Sequence, residues 1–207
     1  MNREIFALVE NLADRYAAAL AKQIDRRVEE MKDDDCSHYL LYRVLGISDR
    51  EGRLIDLYQN KGRFLYKYAG AFLEEAAAAC ISSKYPDASK IRIPNTCGDR
   101  PKTFEIDCLV QHLAHEIKWR DATTDGDHIT KEHTRVKAIR AYGLVPVRVM
   151  FYYPQRTQAK KVQETLETLY AGIGGKYYCG DNAWQYIKDF TGIDLLMILE
   201  EIAGSQI

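Results

Sequence analysis

Two carboxylates and one lysine, Asp107, Glu116 and Lys118, have the types and spacing that hydrolysis of a phosphodiester needs. Asp107 lies in an alternating run over residues 104–110, and the other two lie in a second run over residues 113–119. If these runs form an antiparallel hairpin, Asp107 lies opposite Glu116, with Cβ atoms about 4.5–5.5 Å apart. Lys118, two residues further along the same strand, projects from the same face of the sheet. The sequence therefore predicts a compact cluster of two acids and one amine.

The cluster predicts chemistry that depends on Mg²⁺. Carboxylate oxygens bind a hard divalent cation, which lowers the pKa of a bound water and stabilises negative charge on a phosphate. A lysine beside the metal can orient or activate that water. Without a cation, two opposed carboxylates repel each other, so the pairing itself indicates a metal. The pairing requires a two-residue loop at Gln111 and His112, which are residues that tight turns do not favour, and another register would change the partners.

A further carboxylate is expected on the helix that precedes these strands. At 100° per residue, Glu75 falls within about 20° of Tyr68 on a helical wheel, whereas Glu74 falls about 120° away. The residues within about 60° of Tyr68 form an apolar stripe: Phe64, Leu65, Phe72 and Ala79. A carboxylate on a buried stripe is costly unless it is paired, protonated or bound to a cation. Glu75 is therefore a conditional fourth member of the site, and a salt bridge at the edge of the stripe is the alternative.

The elements that must position these residues follow from the periodicity of the apolar side chains. Apolar residues at three- and four-residue steps predict one long amphipathic helix over the first thirty residues. Ser48 and Glu51 form a capping box, so a second helical region begins near residue 49. Further helices are expected at 61–84, 128–142, 155–170 and, once or twice, within 182–202, and strands are expected at 90–94, 103–110, 114–119 and 144–153.

The order of these elements predicts one mixed α/β domain, because three adjacent strands are followed by a helix, a strand and a helix. We expect an N-terminal helical extension over residues 1–60, packed on a catalytic core over residues 61–207. The chain of 207 residues is long enough to bury one sizeable core, and it contains no internal repeat or linker.

Composition and charge exclude several classes of protein. Hydrophobic residues make up 46% and charged residues 29%, so a disordered or fibrous chain is excluded. The net charge of −1 disfavours a protein that coats nucleic acid through its bulk charge. No stretch approaches the ~18 apolar residues of a membrane helix, and the amino terminus does not resemble a secretory signal. We therefore expect a cytoplasmic protein without a membrane partner, with reduced thiols because none of the five cysteines forms a CxxC pair.

Two other patterns near the strands have structural explanations. Cys108 and the histidines at 112, 115, 128 and 133 could bind zinc, but their spacing matches no established zinc pattern. The histidines are more typical of polar surface residues or phosphate contacts. The aromatic run at residues 151–153 is more typical of the end of a buried strand than of a platform on which bases stack.

DNA contacts are expected from the loop and helix that follow the third strand. A helix N-terminus that carries threonine and lysine is suited to phosphate. The candidate residues are Arg120, Thr123, Thr124, His128, Thr130, Lys131, His133 and Arg135. The alternative is a loop that caps a solvated helix, since the three aspartates in the loop would repel a DNA backbone.

These residues resemble the PD-(D/E)xK nuclease superfamily, whose core is an acid-bearing helix, a three-stranded meander, a helix and another strand. In that superfamily the second strand carries Asp and the third carries (D/E)xK, as Asp107 and Glu116-Ile117-Lys118 do here. Ile106 stands where the name of the motif has Pro. The resemblance implies a restriction-endonuclease-like core, in which a mixed central sheet is flanked by helices. It also implies that Asp107, Glu116 and the backbone carbonyl of Ile117 hold Mg²⁺ and that Lys118 positions the water.

More closely, the chain resembles the ApaLI-like group of type II restriction endonucleases. The similarity covers most of the chain from about residue 37 and rests on six runs: HYLLYRVLG, YQNKGRFLYKYAG, RIPNT, RPKTFEID, EIKWRDATTDGDHITKEHTR and VMFYYPQRTQ. It implies a homodimer that cuts a short palindrome in double-stranded DNA with Mg²⁺, and Glu75 corresponds to the acid on the preceding helix. GTGCAC, the site of the group's namesake, is the candidate palindrome, and a cognate DNA methyltransferase is expected in the same system.

Two other functions fit the same residues. A structure-specific nuclease, such as a junction resolvase or a repair enzyme, would use the same site to cut branched DNA. A non-catalytic DNA-binding module of the same fold would bind DNA without forming any Mg²⁺-dependent product. The near-neutral charge slightly favours a specific reader of sequence over a protein that binds the DNA backbone alone.

Overall fold

A computed structural model describes residues 3–120 and 126–205, and it describes their side chains except at 126–128. The helices in this part of the chain are α1 (Arg3–Glu30), α2 (Tyr39–Val44), α3 (Asp49–Lys84), α4 (Gly126–Ala141), α5 (Thr157–Gly172), α6 (Asp181–Thr191) and α7 (Leu195–Ser205). The strands are β1 (Ser89–Pro94), β2 (Thr103–Val110), β3 (Leu113–Lys118), β4 (Val145–Met150) and β5 (Lys176–Cys179). None of the described helices combines the length and the apolar character that crossing a membrane requires.

The five strands form one sheet in the order β1-β2-β3-β4-β5. The first three strands form an antiparallel meander, whereas β4 pairs parallel to β3 and β5 pairs parallel to β4. Helices α4 and α5 provide the crossovers that parallel neighbours require. A mixed sheet flanked by helices, with a long N-terminal helix, confirms the predicted fold class and is consistent with a restriction-endonuclease-like fold.

The β2–β3 hairpin has the register that the sequence predicts. Cys108 pairs with His115, which leaves a two-residue loop whose first residue, Gln111, has a φ of 54°. A non-glycine residue in that conformation costs about 1 kcal/mol or more, so the strands rather than the turn must determine the register. Continued by one residue beyond the paired positions, the same register would bring Asp107 opposite Glu116.

Buried charges lie in the central strands of the sheet. Side chains on both faces of β3 and β4 are buried, as is typical of parallel neighbours in the middle of a sheet. The apolar core beside the meander contains Ile93, Phe104, Ile106, Ala114, Ala138, Ile139 and Leu144. Asp107, Glu116 and Arg148 are nevertheless buried in β2, β3 and β4. Buried charges must be paired or bound to a cation, so these three residues mark the part of the sheet where a functional site is expected.

The chain forms two compact units, one of Met1–Glu10 with Leu73–Ile207 and one of Asn11–Phe72. The first unit contains the sheet. In the second unit the Tyr16 ring packs edge-on against Tyr68 and Phe72, with ring centroids 6.4 and 5.9 Å apart. The boundary near residue 60 between a helical extension and a core stays a prediction.

The capping box at the start of α3 is present. The backbone N–H and the hydroxyl of Ser48 donate to the Glu51 carboxylate, and the Glu51 N–H donates to Ser48 Oγ. From there α3 continues without a break to Lys84, where the sequence predicted two helical regions. The stretch contains no proline that would divide it.

The apolar stripe predicted around Tyr68 is correct for only part of α3, where Phe64 is buried and Tyr68 and Phe72 pack on Tyr16. Leu65, which was placed in the stripe, is 50% exposed. From Leu73 onward the buried residues are Leu73, Ala76, Ala77, Cys80 and Ile81. At 100° per residue Glu75 lies about 160° from Leu73, which is nearly opposite this buried face. A helix of 36 residues can bury different faces along its length, because its two parts belong to different compact units.

Candidate active site

The structure brings Asp107, Glu116 and Lys118 together beside the end of the β2–β3 ladder. The Lys118 Nζ lies 2.6 Å from Glu116 Oε1 and 3.7 Å from Asp107 Oδ2. Asp107 Oδ2 also accepts a hydrogen bond of 2.8 Å from the backbone N–H of Ile117. The regular backbone pairing ends one residue earlier, at Cys108, so a side chain holds the two strands together here. Two carboxylates therefore flank one ammonium group.

Burial dominates the electrostatics of Asp107 in this cluster. Asp107 is 8% exposed, and burial together with the Glu116 charge raises its pKa to about 7. The Lys118 ammonium and the Ile117 N–H oppose this shift without cancelling it. Burial alone would lower the pKa of Lys118, but the Glu116 and Asp107 charges outweigh burial and raise it. The amine is therefore protonated, and the carboxylate pair can still accept a cation.

Arg135 of α4 is a second cation at Glu116. Its Nη1 contacts Glu116 Oε1, which is the oxygen that Lys118 also contacts. Its Nε lies 3.6 Å from Glu132 Oε2, one turn earlier on the same helix. The sequence suggested Arg135 as a DNA contact, whereas the structure places its guanidinium between two buried carboxylates. This contact depends on how α4 crosses β3, for which the sequence holds no local signal.

Glu132 belongs to a buried network that the sequence analysis missed. The Tyr170 hydroxyl donates to Glu132 Oε1 at 2.5 Å, and Arg148 Nη1 donates to the same oxygen at 3.0 Å. Arg148 and Tyr170 are fully buried, and Arg148 is the register partner of Glu116 across the β3–β4 pair. Positive and negative side chains thus alternate from Arg148 in the core, through Glu132 and Arg135, to Glu116 in the site. The sequence signal for this network is Arg148, the one charged residue in the apolar strand β4. A charge at such a position requires a buried partner.

The donor set at Asp107 and Glu116 suits a hard divalent cation. Mg²⁺ takes oxygen ligands and commonly uses one or two carboxylates together with waters. An acid whose pKa is raised by burial and by a neighbouring carboxylate would also be stabilised in its ionised form by a cation. Within residues 3–120 and 126–205, no group of three or more His, Cys, Asp or Glu side chains is placed to hold a metal. A metal site here would rest on the two carboxylates, and the backbone carbonyl of Ile117 stays a predicted ligand.

Glu74 is the third carboxylate whose charge acts on this pair. The Glu74 charge helps to raise the pKa of Asp107, and its carboxylate lies 2.8 Å from Lys90 Nζ. Lys90 is also 2.9 Å from Glu105, so these contacts join α3, β1 and β2 beside the site. Glu74 and Glu75 are both half-buried. Glu75 as the fourth member of the site stays a prediction.

Comparison with known families decides what kind of protein carries this site. A sequence profile described as "ApaLI-like restriction endonuclease" matches residues 1–204, which is nearly the whole chain. The chain belongs to the ApaLI-like restriction endonuclease family. This membership confirms that the six sequence runs resemble the ApaLI-like group. The acidic cluster therefore belongs to a member of a type II restriction endonuclease family. No curated protein and no solved structure matches the chain.

The residues expected to contact DNA occupy different places in this member of the ApaLI-like family. Three of them are exposed on α4: Thr130, Lys131 and His133. Arg120 is exposed just after β3, with its guanidinium 5.7 Å over the Trp119 ring. Three others lie outside the described residues or side chains: Thr123, Thr124 and the side chain of His128. Contact of these residues with DNA stays a prediction.

His115 is a core residue, so the prediction of a surface position or a phosphate contact is wrong for this histidine. Its Nδ1 lies 3.0 Å from the Cys108 carbonyl oxygen, and its Nε2 lies 2.7 Å from the Tyr186 hydroxyl. Burial lowers the pKa of His115 to about 4, so the imidazole is neutral near pH 7. Both ring nitrogens are engaged within the protein, which explains this histidine without a metal. All five cysteines are unpaired.

Proposed function

We propose that this protein is a type II restriction endonuclease that hydrolyses double-stranded DNA at a short palindrome and requires Mg²⁺. The observation that carries the proposal is the cluster of Asp107, Glu116 and Lys118 beside the β2–β3 ladder. Two buried acids and one ammonium group at these distances have the chemistry of metal-assisted phosphodiester hydrolysis. Membership of the ApaLI-like family supports this reaction class and supports DNA as the substrate.

Each member of the cluster has a distinct role in the proposed reaction. Asp107 and Glu116 would hold Mg²⁺, which when bound polarises the phosphate and lowers the pKa of an attacking water. Lys118 keeps its proton beside the two acids, so its ammonium group would orient the water and balance charge on the phosphate rather than act as a base. Burial of the cluster strengthens each of these electrostatic interactions.

Arg135 and Glu132 would adapt the site to the metal. Arg135 and Lys118 both contact one oxygen of Glu116, a carboxylate that would hold Mg²⁺. Glu132 offers the guanidinium a second carboxylate at 3.6 Å, and Arg148 and Tyr170 hold that carboxylate in place. Arg135 could then pair with Glu132, and its charge would remain beside the phosphate.

The whole protein would act as a homodimer in the cytoplasm. A palindrome presents two equivalent half-sites to a protein with a two-fold axis, so one site in each chain would cut one strand. GTGCAC is the candidate sequence. A cognate DNA methyltransferase in the same system would protect the host's own DNA and need not contact this protein.

Mapping of DNA ends tests the proposed function. Purified protein is incubated with a long linear DNA of known sequence, with Mg²⁺ or with EDTA, and the ends formed are sequenced. Discrete fragments that form only with Mg²⁺ and share one short palindrome are the expected result. Cleavage of branched DNA alone would indicate a structure-specific nuclease, and binding without cleavage of either DNA would indicate a non-catalytic module.

A further inference from the structure

We propose that a pocket next to Lys118, formed where β3 and β4 end, binds one nucleotide of the DNA strand beside the cleaved phosphodiester. In the part of the chain that the structure describes, seven residues line this cavity of about 530 Å³: Trp119, Arg120, Tyr152, Tyr153, Pro154, Gln155 and Arg156. The volume falls within the range of small-ligand pockets, about 300–1,000 Å³, and so suits one nucleotide rather than a duplex. This inference rests on DNA being the substrate and adds a binding site to that function.

The pocket continues the strand that carries the acids and the lysine. Trp119 and Arg120 follow Lys118 directly, and the Tyr152 N–H donates to the Trp119 carbonyl oxygen at 3.0 Å, so the strands stay joined past their ends. Two residues of strand span about 7 Å, which keeps Arg120 within one nucleotide of the lysine. Lys118 pairs with Met150, and the same register brings Arg120 beside Tyr152. The pocket is thus an extension of the candidate active site along the sheet.

The lining provides a partner for each part of a nucleotide. Arg120 and Arg156 are exposed, and among the described residues the lining is cationic, aromatic or neutral. Guanidinium groups match the geometry of phosphate oxygens. Aromatic rings accept any base by stacking, because every base has a π-face. The Gln155 amide can donate to and accept from the edge of a base.

The structure separates the residues of the aromatic run at 151–153. Phe151 is 1% exposed and packs against Trp184, with ring centroids 4.2 Å apart, as a buried strand end should. Tyr152 is 49% exposed and lines the pocket, and its ring meets Trp184 edge-on at 5.9 Å. The packed neighbours would hold the Tyr152 ring in place and leave a face for stacking. The sequence favoured burial for the whole run, which is true only of its first residue.

Binding of a short labelled duplex tests the pocket directly. The duplex contains the mapped cleavage site, and Ca²⁺ replaces Mg²⁺ so that the DNA stays intact. Fluorescence anisotropy gives the Kd at several salt concentrations for the wild type and for Tyr152→Ala, Tyr152→Phe and Arg156→Gln. Tyr142→Ala and Arg50→Gln are matched controls, because they remove the same side chains from exposed positions outside the pocket.

The expected changes differ between the variants. Tyr152→Ala should raise the Kd about tenfold or more because the stacking surface is lost, and Tyr152→Phe should stay within about twofold because the ring remains. Arg156→Gln should raise the Kd about fivefold and reduce the slope of log Kd against log salt by about one, since one phosphate contact is lost. Both controls should bind as the wild type does.

Three outcomes would overturn the proposal. Wild-type Kd and salt slope for both Tyr152→Ala and Arg156→Gln would reject the pocket, and the proposed endonuclease activity would stand because cleavage by the wild type is measured separately. A loss confined to Arg156→Gln would also reject it, because only a backbone contact would remain. A wild-type protein that binds no duplex would reject the proposed function and the pocket together.

Discussion

The protonation state of the metal-free site depends mainly on Asp107. Burial and the Glu116 carboxylate raise its pKa to about 7, against an ordinary value of 3.8, although Lys118 lies nearby. Near neutral pH the carboxyl group is therefore held between its two protonation states. A bound cation would favour the ionised form, so binding of metal and loss of this proton should be coupled.

Asp107→Asn should stabilise the metal-free protein at pH 8. The folded state binds the Asp107 proton more tightly than the unfolded state, so the stability of the wild type falls as pH rises from about 4 through about 7. Asparagine carries no charge to bury, and the advantage of the variant should grow by about 2 kcal/mol between pH 5 and pH 8. Urea unfolding in EDTA measures it, with Asp14→Asn as an exposed control. An advantage that does not change with pH would contradict this role of Asp107.

Arg135→Ala should strengthen binding of a divalent cation to the DNA-free protein. The guanidinium contacts the Glu116 carboxylate, which would hold the cation, and its positive charge repels the cation. We expect a Kd for Ca²⁺ or Mn²⁺ about tenfold lower, measured by isothermal titration calorimetry. Lys131→Ala, which removes an exposed cation from the same helix, is the control. An unchanged or higher Kd would show that Arg135 does not compete with the cation.

The sequence predicts the acidic cluster because strand alternation and hairpin register place Asp107 opposite Glu116. It does not predict the place of Arg135, because that contact is made by a side chain of α4 with a side chain of β3. Arg135 and Glu116 are 19 positions apart in the chain, so they come into contact only when α4 packs on the sheet. Glu75 was nominated from a helical wheel, and that wheel assumed one buried face for the whole of a long helix.

At the scale of elements, the Glu132 carboxylate joins α4, β4 and α5. It accepts hydrogen bonds from Arg148 on β4 and Tyr170 on α5, and all three side chains are buried. Burial favours the neutral acid, but the Arg148 and Arg135 charges outweigh burial and lower the pKa of Glu132. The carboxylate is therefore ionised, and the crossover helices on either side of β4 are connected through it.

Glu132→Gln should destabilise the fold by about 3 kcal/mol, because a buried charge pair would lose one partner. Thermal and urea unfolding measure this loss. Glu200→Gln on α7 changes the same residue type at an exposed position and should alter the free energy of unfolding by less than about 0.5 kcal/mol. If both substitutions changed the free energy of unfolding equally, the buried network of Glu132 would not stabilise the packing of α4 and α5 on β4.

Most elements could be predicted from periodicity, and the exceptions have physical causes. Strand β5 is absent from the predicted elements because its four residues, KYYC, are too few to show alternation beside a glycine-rich break. Its pairing with β4 comes from tertiary packing. The continuous helix α3 differs from the two regions predicted, because no proline interrupts it and glycines within it are tolerated.

At the scale of the whole molecule, symmetry is the property that the proposed function requires. Cleavage of both strands at a palindrome needs two sites related by a two-fold axis. Analytical ultracentrifugation with a duplex that contains the mapped palindrome should therefore show two chains per duplex, with a protein mass about twice 23.8 kDa. One chain per duplex, with both strands cut at the same rate, would contradict the dimer.

The central claim is that the cluster of Asp107, Glu116 and Lys118 performs the cleavage, and a lysine substitution tests it most directly. Cleavage and binding of the mapped duplex are measured side by side for the wild type, Lys118→Ala and the exposed control Lys22→Ala. We expect Lys118→Ala to cleave at least about a hundredfold more slowly while its Kd for the duplex in Ca²⁺ stays within a few-fold of the wild type. Cleavage by Lys118→Ala at the wild-type rate would show that the chemistry lies elsewhere.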